Sequence, residues 1–114
     1  MTYEEIVTMV EEIGLPSAYD HFAEGESPDP PFVVFLFPNS ENFFADGEVY
    51  KPRTELAIEL YTDLKMPPHE ARIEQVLKAY DIPWNKTEVW IEDEKLYEVR
   101  YGTVVDYEDG SDGE

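Results

Sequence analysis

Residues 53–62, Arg53-Thr54-Glu55-Leu56-Ala57-Ile58-Glu59-Leu60-Tyr61-Thr62, decide the fold class. Leu56, Ile58 and Leu60 alternate with Glu55, Ala57, Glu59 and Tyr61. Successive strand side chains point to opposite faces, so this pattern predicts a strand with one face on a core and the other largely wet. Strands of that kind belong to antiparallel sheets.

Working upstream, Phe32-Val33-Val34-Phe35-Leu36-Phe37 is an unbroken run of β-branched and aromatic residues between prolines. It predicts a strand covered on both faces and central in the sheet. Between these two segments, Asn42–Ala45 and Glu48–Tyr50 flank Asp46-Gly47, a pair that tolerates positive φ and predicts a tight hairpin. Pro52 is expected to separate that hairpin from the strand that follows. Residues 17–31 are polar and end in Ser27-Pro28-Asp29-Pro30-Pro31, which reads as a loop because proline cannot donate a backbone hydrogen bond. At the start of the chain, Thr2-Tyr3-Glu4-Glu5 has capping-box order, and Ile6, Met9, Val10 and Ile13 follow at helical spacing until Gly14 and Pro16.

Downstream, Pro67 and Pro68 suit the first turn of a second helix and Glu70 suits its positive end. Ile73, Val76, Leu77 and Tyr80 form its apolar stripe, and Pro83 stops it. Asn85–Glu92, with Val89 and Ile91 on one face, and Lys95–Asp106, with Tyr97, Val99 and Tyr101 on one face, predict a second hairpin around Asp93-Glu94. The order helix, strand, hairpin, strand, helix, hairpin predicts an α+β fold: one mainly antiparallel sheet with two helices packed on a face. Residues 1–105 form a single domain in this reading. Residues 106–114, with five acids, two glycines and no base, form an acidic tail expected to be disordered.

Composition bounds the function. The chain of 114 residues, 42% hydrophobic and 14% aromatic, is large enough for one core and too small for two. No stretch approaches the ~20 apolar residues of a spanning helix, and the N-terminus is acidic where a signal peptide is basic. A cytoplasmic, non-membrane protein is expected. With no cysteine, disulfides, thiolate chemistry and cysteine-based zinc sites are excluded. Eight basic residues against 27 acidic ones give a net charge of −19, and the first base is Lys51. No basic stripe exists to displace counterions from phosphates, which excludes ordinary binding to nucleic acid.

Motifs for chemistry are missing as well. The sequence has no glycine-rich phosphate loop, no HExxH and no GxSxG. His21 lies in the polar loop and His69 at the start of the second helix, where surface or capping roles fit better than general-base work. Glu55 and Glu59 have the form of a glycosidase acid and base without a cleft to raise a pKa. The tail string DYEDGSDGE places Ser111 where an EF-hand loop needs glycine. We therefore expect no enzyme activity, no catalytic residue, no cofactor and no specific metal site. The residues in excess of a small core are aromatic: Phe43, Phe44 and Tyr50 on the first hairpin, and Trp84, Trp90, Tyr97, Tyr101 and Tyr107 near the second. Exposed rings concentrate at protein interfaces. Phe43 and Phe44, adjacent in one strand, point to opposite faces that a projecting hairpin cannot both cover.

The segments HFAEGESPDPPFVVFLF (21–37), ELAIELYTD (55–63) and VWIEDEKLYEVRY (89–101) resemble a family of small proteins of siphophages and prophages of Gram-positive bacteria, over nearly the whole chain to Tyr107. Those proteins are similar in genomic role and element order to tail terminators, also called tail completion or head–tail joining proteins. The resemblance implies a ring, expected to be a hexamer, that caps the tail-tube protein and meets the head connector protein. Its setting is the host cytoplasm during assembly and then the head–tail junction of the virion. Head-closure and minor capsid proteins share its size and gene neighbourhood. A closed ring needs a heterologous interface, for which Phe43, Phe44, Val49 and Tyr50 are the candidates. Asp106, Glu108, Asp109, Asp112 and Glu114 are the candidate surface for repelling DNA in a lumen. A second reading of the charge is a DNA mimic that inhibits a host DNA-binding protein, and an unrecognised enzyme ranks third.

Overall fold

The computed structural model of the chain describes residues 1–23, 25–38, 40–45 and 48–107; over 40–45 and 48–52 it describes the backbone alone. The chain runs α1 (Tyr3–Glu11), β1 (Ser17–Tyr19), β2 (Phe32–Leu36), β3 (Ser40–Ala45), β4 (Glu48–Thr62), α2 (Pro67–Ala79), β5 (Asn85–Ile91) and β6 (Leu96–Val105). The fold is α+β. The strands form one sheet in the order β1-β2-β4-β6-β5, with β3 paired to β4 off this path. All pairings are antiparallel except β1 with β2.

The helix boundaries follow from local chemistry. Thr2 Oγ1 accepts from Glu5 N at 3.1 Å while Thr2 N donates to Glu5 Oε1 at 2.8 Å, so two backbone donors at the start of α1 are satisfied reciprocally. The last turn of α1 holds no base; Arg72 of α2 supplies one, its Nη2 donating to the Glu12 carbonyl at 2.6 Å. A cation suits the negative end of a helix. Tyr80 Oη donates to Glu12 Oε2 at 2.8 Å, so α2 grips the end of α1 at two points.

The core lies on one face of the sheet. Ile6, Met9 and Val10 of α1 and Ile73, Val76 and Leu77 of α2 pack against Val33 and Phe35 of β2, Leu56, Ile58 and Leu60 of β4, and Val99 and Tyr101 of β6. Leu56, Ile58 and Leu60 are at most 1% exposed, as their alternation predicted. The 53–62 segment forms the middle of the sheet: β4 pairs with β6 from Thr54 to Thr62 and with β2 from Ala57 to Tyr61.

Four expectations are corrected. The central strand is β4, with β2 one place out; β2 is nevertheless buried at Val33, Val34 and Phe35, hence on both faces. The 17–31 loop begins with a strand, because Ser17–Tyr19 pairs in parallel with Val33–Phe35. Pro52 does not end a strand: β4 runs through it for 15 residues. Among the described residues the only strand beside Pro52 is β3, and proline is tolerated where one side of a strand is open. Finally, the second face of β4 is not wet, since Ala57 is 1% and Glu59 8% exposed.

Candidate assembly surface

Three features outside the core remain to be assigned: an arm, an edge and a face. The arm is the β3–β4 hairpin. β6 stops pairing with β4 at Thr54 and β2 stops at Ala57, whereas β3 pairs with β4 from Ala45↔Glu48 to Ser40↔Thr54. Six residues of β4, Glu48–Arg53, therefore extend past the sheet with β3 as their only strand partner, a reach of ~20 Å at strand rise. The register shifts between Phe43 and Phe44, a bulge that bends and twists the pair. The strands flanking the expected turn pair with each other, while Asp46-Gly47 itself lies outside the described residues. The side chains of the interface candidates Phe43, Phe44, Val49 and Tyr50 lie outside the described residues.

The edge is β5, which pairs with β6 and, among the described residues, has no strand on its other side. Such an edge presents unpaired backbone groups able to accept another strand. All of its residues except Ile91 are exposed. Val89 is 51% and Trp90 41% exposed, and Leu64 in the loop before α2 is 67% exposed. Trp90 is held on the edge by Tyr97, with ring centroids 4.7 Å apart, and by Nε1 donating to Glu92 Oε1 at 2.7 Å. Of the other aromatic candidates, Tyr101 is core, Trp84 lies edge-on to it at 6.4 Å, and Tyr107 packs on Phe37 at 4.9 Å.

Where β5 meets α2, the charges are internally paired. Glu70 is nearly buried, with Lys65 Nζ at 2.5 Å and Lys86 Nζ at 2.7 Å. Lys65 also reaches Glu88 at 2.7 Å, and Lys86 reaches Glu74 at 2.9 Å. Tyr101 Oη donates to Glu74 Oε2 at 2.8 Å. Burial works against ionisation of Glu70, but the hydrogen bonds from the two lysines outweigh it and hold its carboxyl below the ordinary range. Lys86 likewise holds Glu74 low. Burial, then Glu74, pushes the Tyr101 phenol up. Sequence reading took Glu70 only for a residue suited to a helix start.

The opposite face bears neither of the two described helices. Over β2 and the near end of β4 it is closed by aromatics: Phe22 lies edge-on to Phe32 at 5.4 Å, and Phe32 stacks on Tyr61 at 5.2 Å. Next to them, Glu59 accepts from Tyr61 Oη at 2.8 Å and faces Arg100 Nη1 at 3.3 Å. Glu98, one rung along, is held above the ordinary carboxylate range by burial and then by the Glu59 carboxylate. Beyond Arg100 the face continues as Ala57 opposite Gly102 opposite Asn85, with Ala57 only 1% exposed.

The remaining predicted residues are dispersed. Glu55 and Glu59 sit on the same sheet face, with Glu59 engaged by Tyr61 and Arg100. His21 is exposed and bonded to Asp20 at 2.9 Å. Asp106 is exposed, 3.6 Å from Arg53, and its carbonyl accepts from the Met1 amine, so it is tied to the body of the domain. Glu108, Asp109, Asp112 and Glu114 lie outside the described residues. Among the described residues no helix is long and apolar enough to cross a membrane. No protein-family model matches the chain, and no curated protein matches it.

Proposed function

We propose that the chain is a structural subunit that assembles with copies of itself into a ring, closes the end of a phage tail tube and joins it to the head connector. The observation that supports this most is the arm. A hairpin whose strands run ~20 Å past their last pairing with β2 and β6 has a use when a neighbour receives it. Arm and receiving surface are different patches, so the contact is heterologous and closes into a ring when the rotation between subunits permits. The exposed Val89 and Trp90 on the open edge of β5 add a second apolar surface, and a charge of −19 keeps free subunits apart before assembly. Acids at the tail, if they face the lumen, repel the passing phosphates.

Absolute mass by light scattering, over a range of salt and concentration and with or without tail-tube protein, tests the proposal. A discrete ring, alone or on the tube, is expected. A monomer indifferent to tube protein overturns the reading and directs attention to DNA-binding host proteins as targets of a mimic. Replacing Phe43 and Phe44 with Ser is expected to weaken assembly and leave the melting temperature unchanged; unfolding of that double variant would return both rings to the core.

A further inference from the structure

The β5 edge lacks the protection that sheet edges usually carry. Asn85–Ile91 pairs with β6 in an unbroken register from Asn85↔Gly102 to Ile91↔Leu96, and the segment NKTEVWI holds no proline. Natural edges are blunted by a bulge, a proline or a charge that no neighbour neutralises. The two charges of β5 are instead drawn back against α2 and the loop before it. Lys86 Nζ lies 2.7 Å from Glu70 and 2.9 Å from Glu74, and Glu88 Oε1 lies 2.7 Å from Lys65 Nζ. Each keeps spare capacity. An ammonium carries three donors and Lys86 engages two carboxylates, while Glu88 engages through Oε1. Their side chains are 37% and 38% exposed, so both reach the open edge.

We propose that β5 pairs antiparallel with β5 of a second copy of the chain, about a twofold axis at Thr87, and joins the two sheets into one. The strand's self-complementarity selects both occupant and register. With Thr87 opposite Thr87 of the second copy, Lys86 stands opposite Glu88, Asn85 opposite Val89 and Trp90 opposite Trp84, each twice by symmetry. Opposite charges, facing threonines and facing rings are the pairs that stabilise adjacent strands. An axis at Lys86 or at Glu88 sets like charges directly opposite, which is destabilising. The pairing covers Val89 and Trp90, 51% and 41% exposed in the single subunit. At the far end of the sheet β1 has three residues, too few to match the seven of β5. An isologous contact closes at two copies and cannot propagate a ring. This interface therefore stands apart from the ring reading, and where rings form it links a subunit of one ring to a subunit of another.

The chain has no cysteine, so single cysteines report the contact. Thr87→Cys protein, oxidised under native conditions, is expected to give a disulfide-linked dimer on a non-reducing gel. Asn85→Cys mixed with Val89→Cys is expected to cross-link where neither does alone. No dimer from Thr87→Cys overturns the proposal, and so does equal cross-linking in denaturant, which marks random collision. In light scattering the unaltered chain is expected to show a dimer that dissociates on dilution. Thr87→Lys places like charges on the axis and is expected to raise the dissociation constant about tenfold while leaving the fold intact. A ring that ignores Thr87→Lys and does not cross-link at 87 overturns this interface and leaves the ring reading standing. A β5-linked dimer that never assembles further, with or without tail-tube protein, does the reverse.

Discussion

The two faces of the sheet are built from the same strands and treat charge in opposite ways. On the helix face, Glu70 sits between Lys65 and Lys86 and Glu74 between Lys86 and Tyr101, and both carboxyls are held low. On the helix-free face, Glu59 and Glu98 crowd together with Arg100 as the cation, and Glu98 is held high. One face is finished within the subunit. The other crowds its carboxylates as far as Arg100 and then continues over the small residues Ala57 and Gly102. The difference shows where a small domain concentrates its paired charges.

The sharpest way to break this contrast is at β4, whose side chains divide the two faces. Ile58→Ala removes a side chain 1% exposed and is expected to cost about 2–5 kcal/mol in denaturant unfolding. A loss near zero would mean that the register is wrong and the faces are misassigned. Glu70→Gln is expected to cost about 1–3 kcal/mol at neutral pH, since it strips charge-assisted hydrogen bonds from a nearly buried group. A carboxyl held low stabilises above the ordinary carboxylate range and loses that contribution as the pH falls through its folded value. The penalty of Glu70→Gln should therefore fade in acid.

On the other face the signs reverse. Gly102→Ala is expected to raise the stability of the isolated subunit by about 0.5–1 kcal/mol, the usual cost of a strand glycine relative to alanine; a destabilised variant would reveal a contact at 102 within the subunit. The smallest effect expected is from Glu98→Gln. A carboxyl held high stabilises below the ordinary range and loses that contribution as the pH rises through its folded value. Glu98→Gln should give a slight gain at neutral pH and none in acid, so the pH profiles of the two glutamine variants should slope in opposite directions.

What the sequence revealed and concealed follows from the range of each interaction. The face of β4, the caps of α1, the span of α2 and the 92–95 turn depend on residues a few positions apart, and all were readable. β1 was hidden because three residues after Pro16 have no periodicity, and only the parallel partner Val33–Phe35 makes them a strand. Glu59 read as solvated because Arg100, 41 positions away, is beyond any local pattern. Glu70 read correctly as an acid in the first turn of its helix, but its ion pair was out of view because Lys86 arrives from β5. The setting of Gly102 was illegible for a different cause: one glycine among six is unremarkable until the strands on either side of it are known.

The position of β6 also governs when the molecule can form. It is the last of the described strands and an interior one in the sheet, with β4 on one side and β5 on the other. During synthesis α1, β2, β4 and α2 emerge before the strand that must lie beneath α2 and partner β5. The β4–β6 ladder joins residues tens of positions apart, and closing such long loops slows folding. The nascent subunit therefore stays open along the middle of its sheet until Leu96–Val105 has left the ribosome. During that interval its many acids are the protection it has against pairing with the wrong strand.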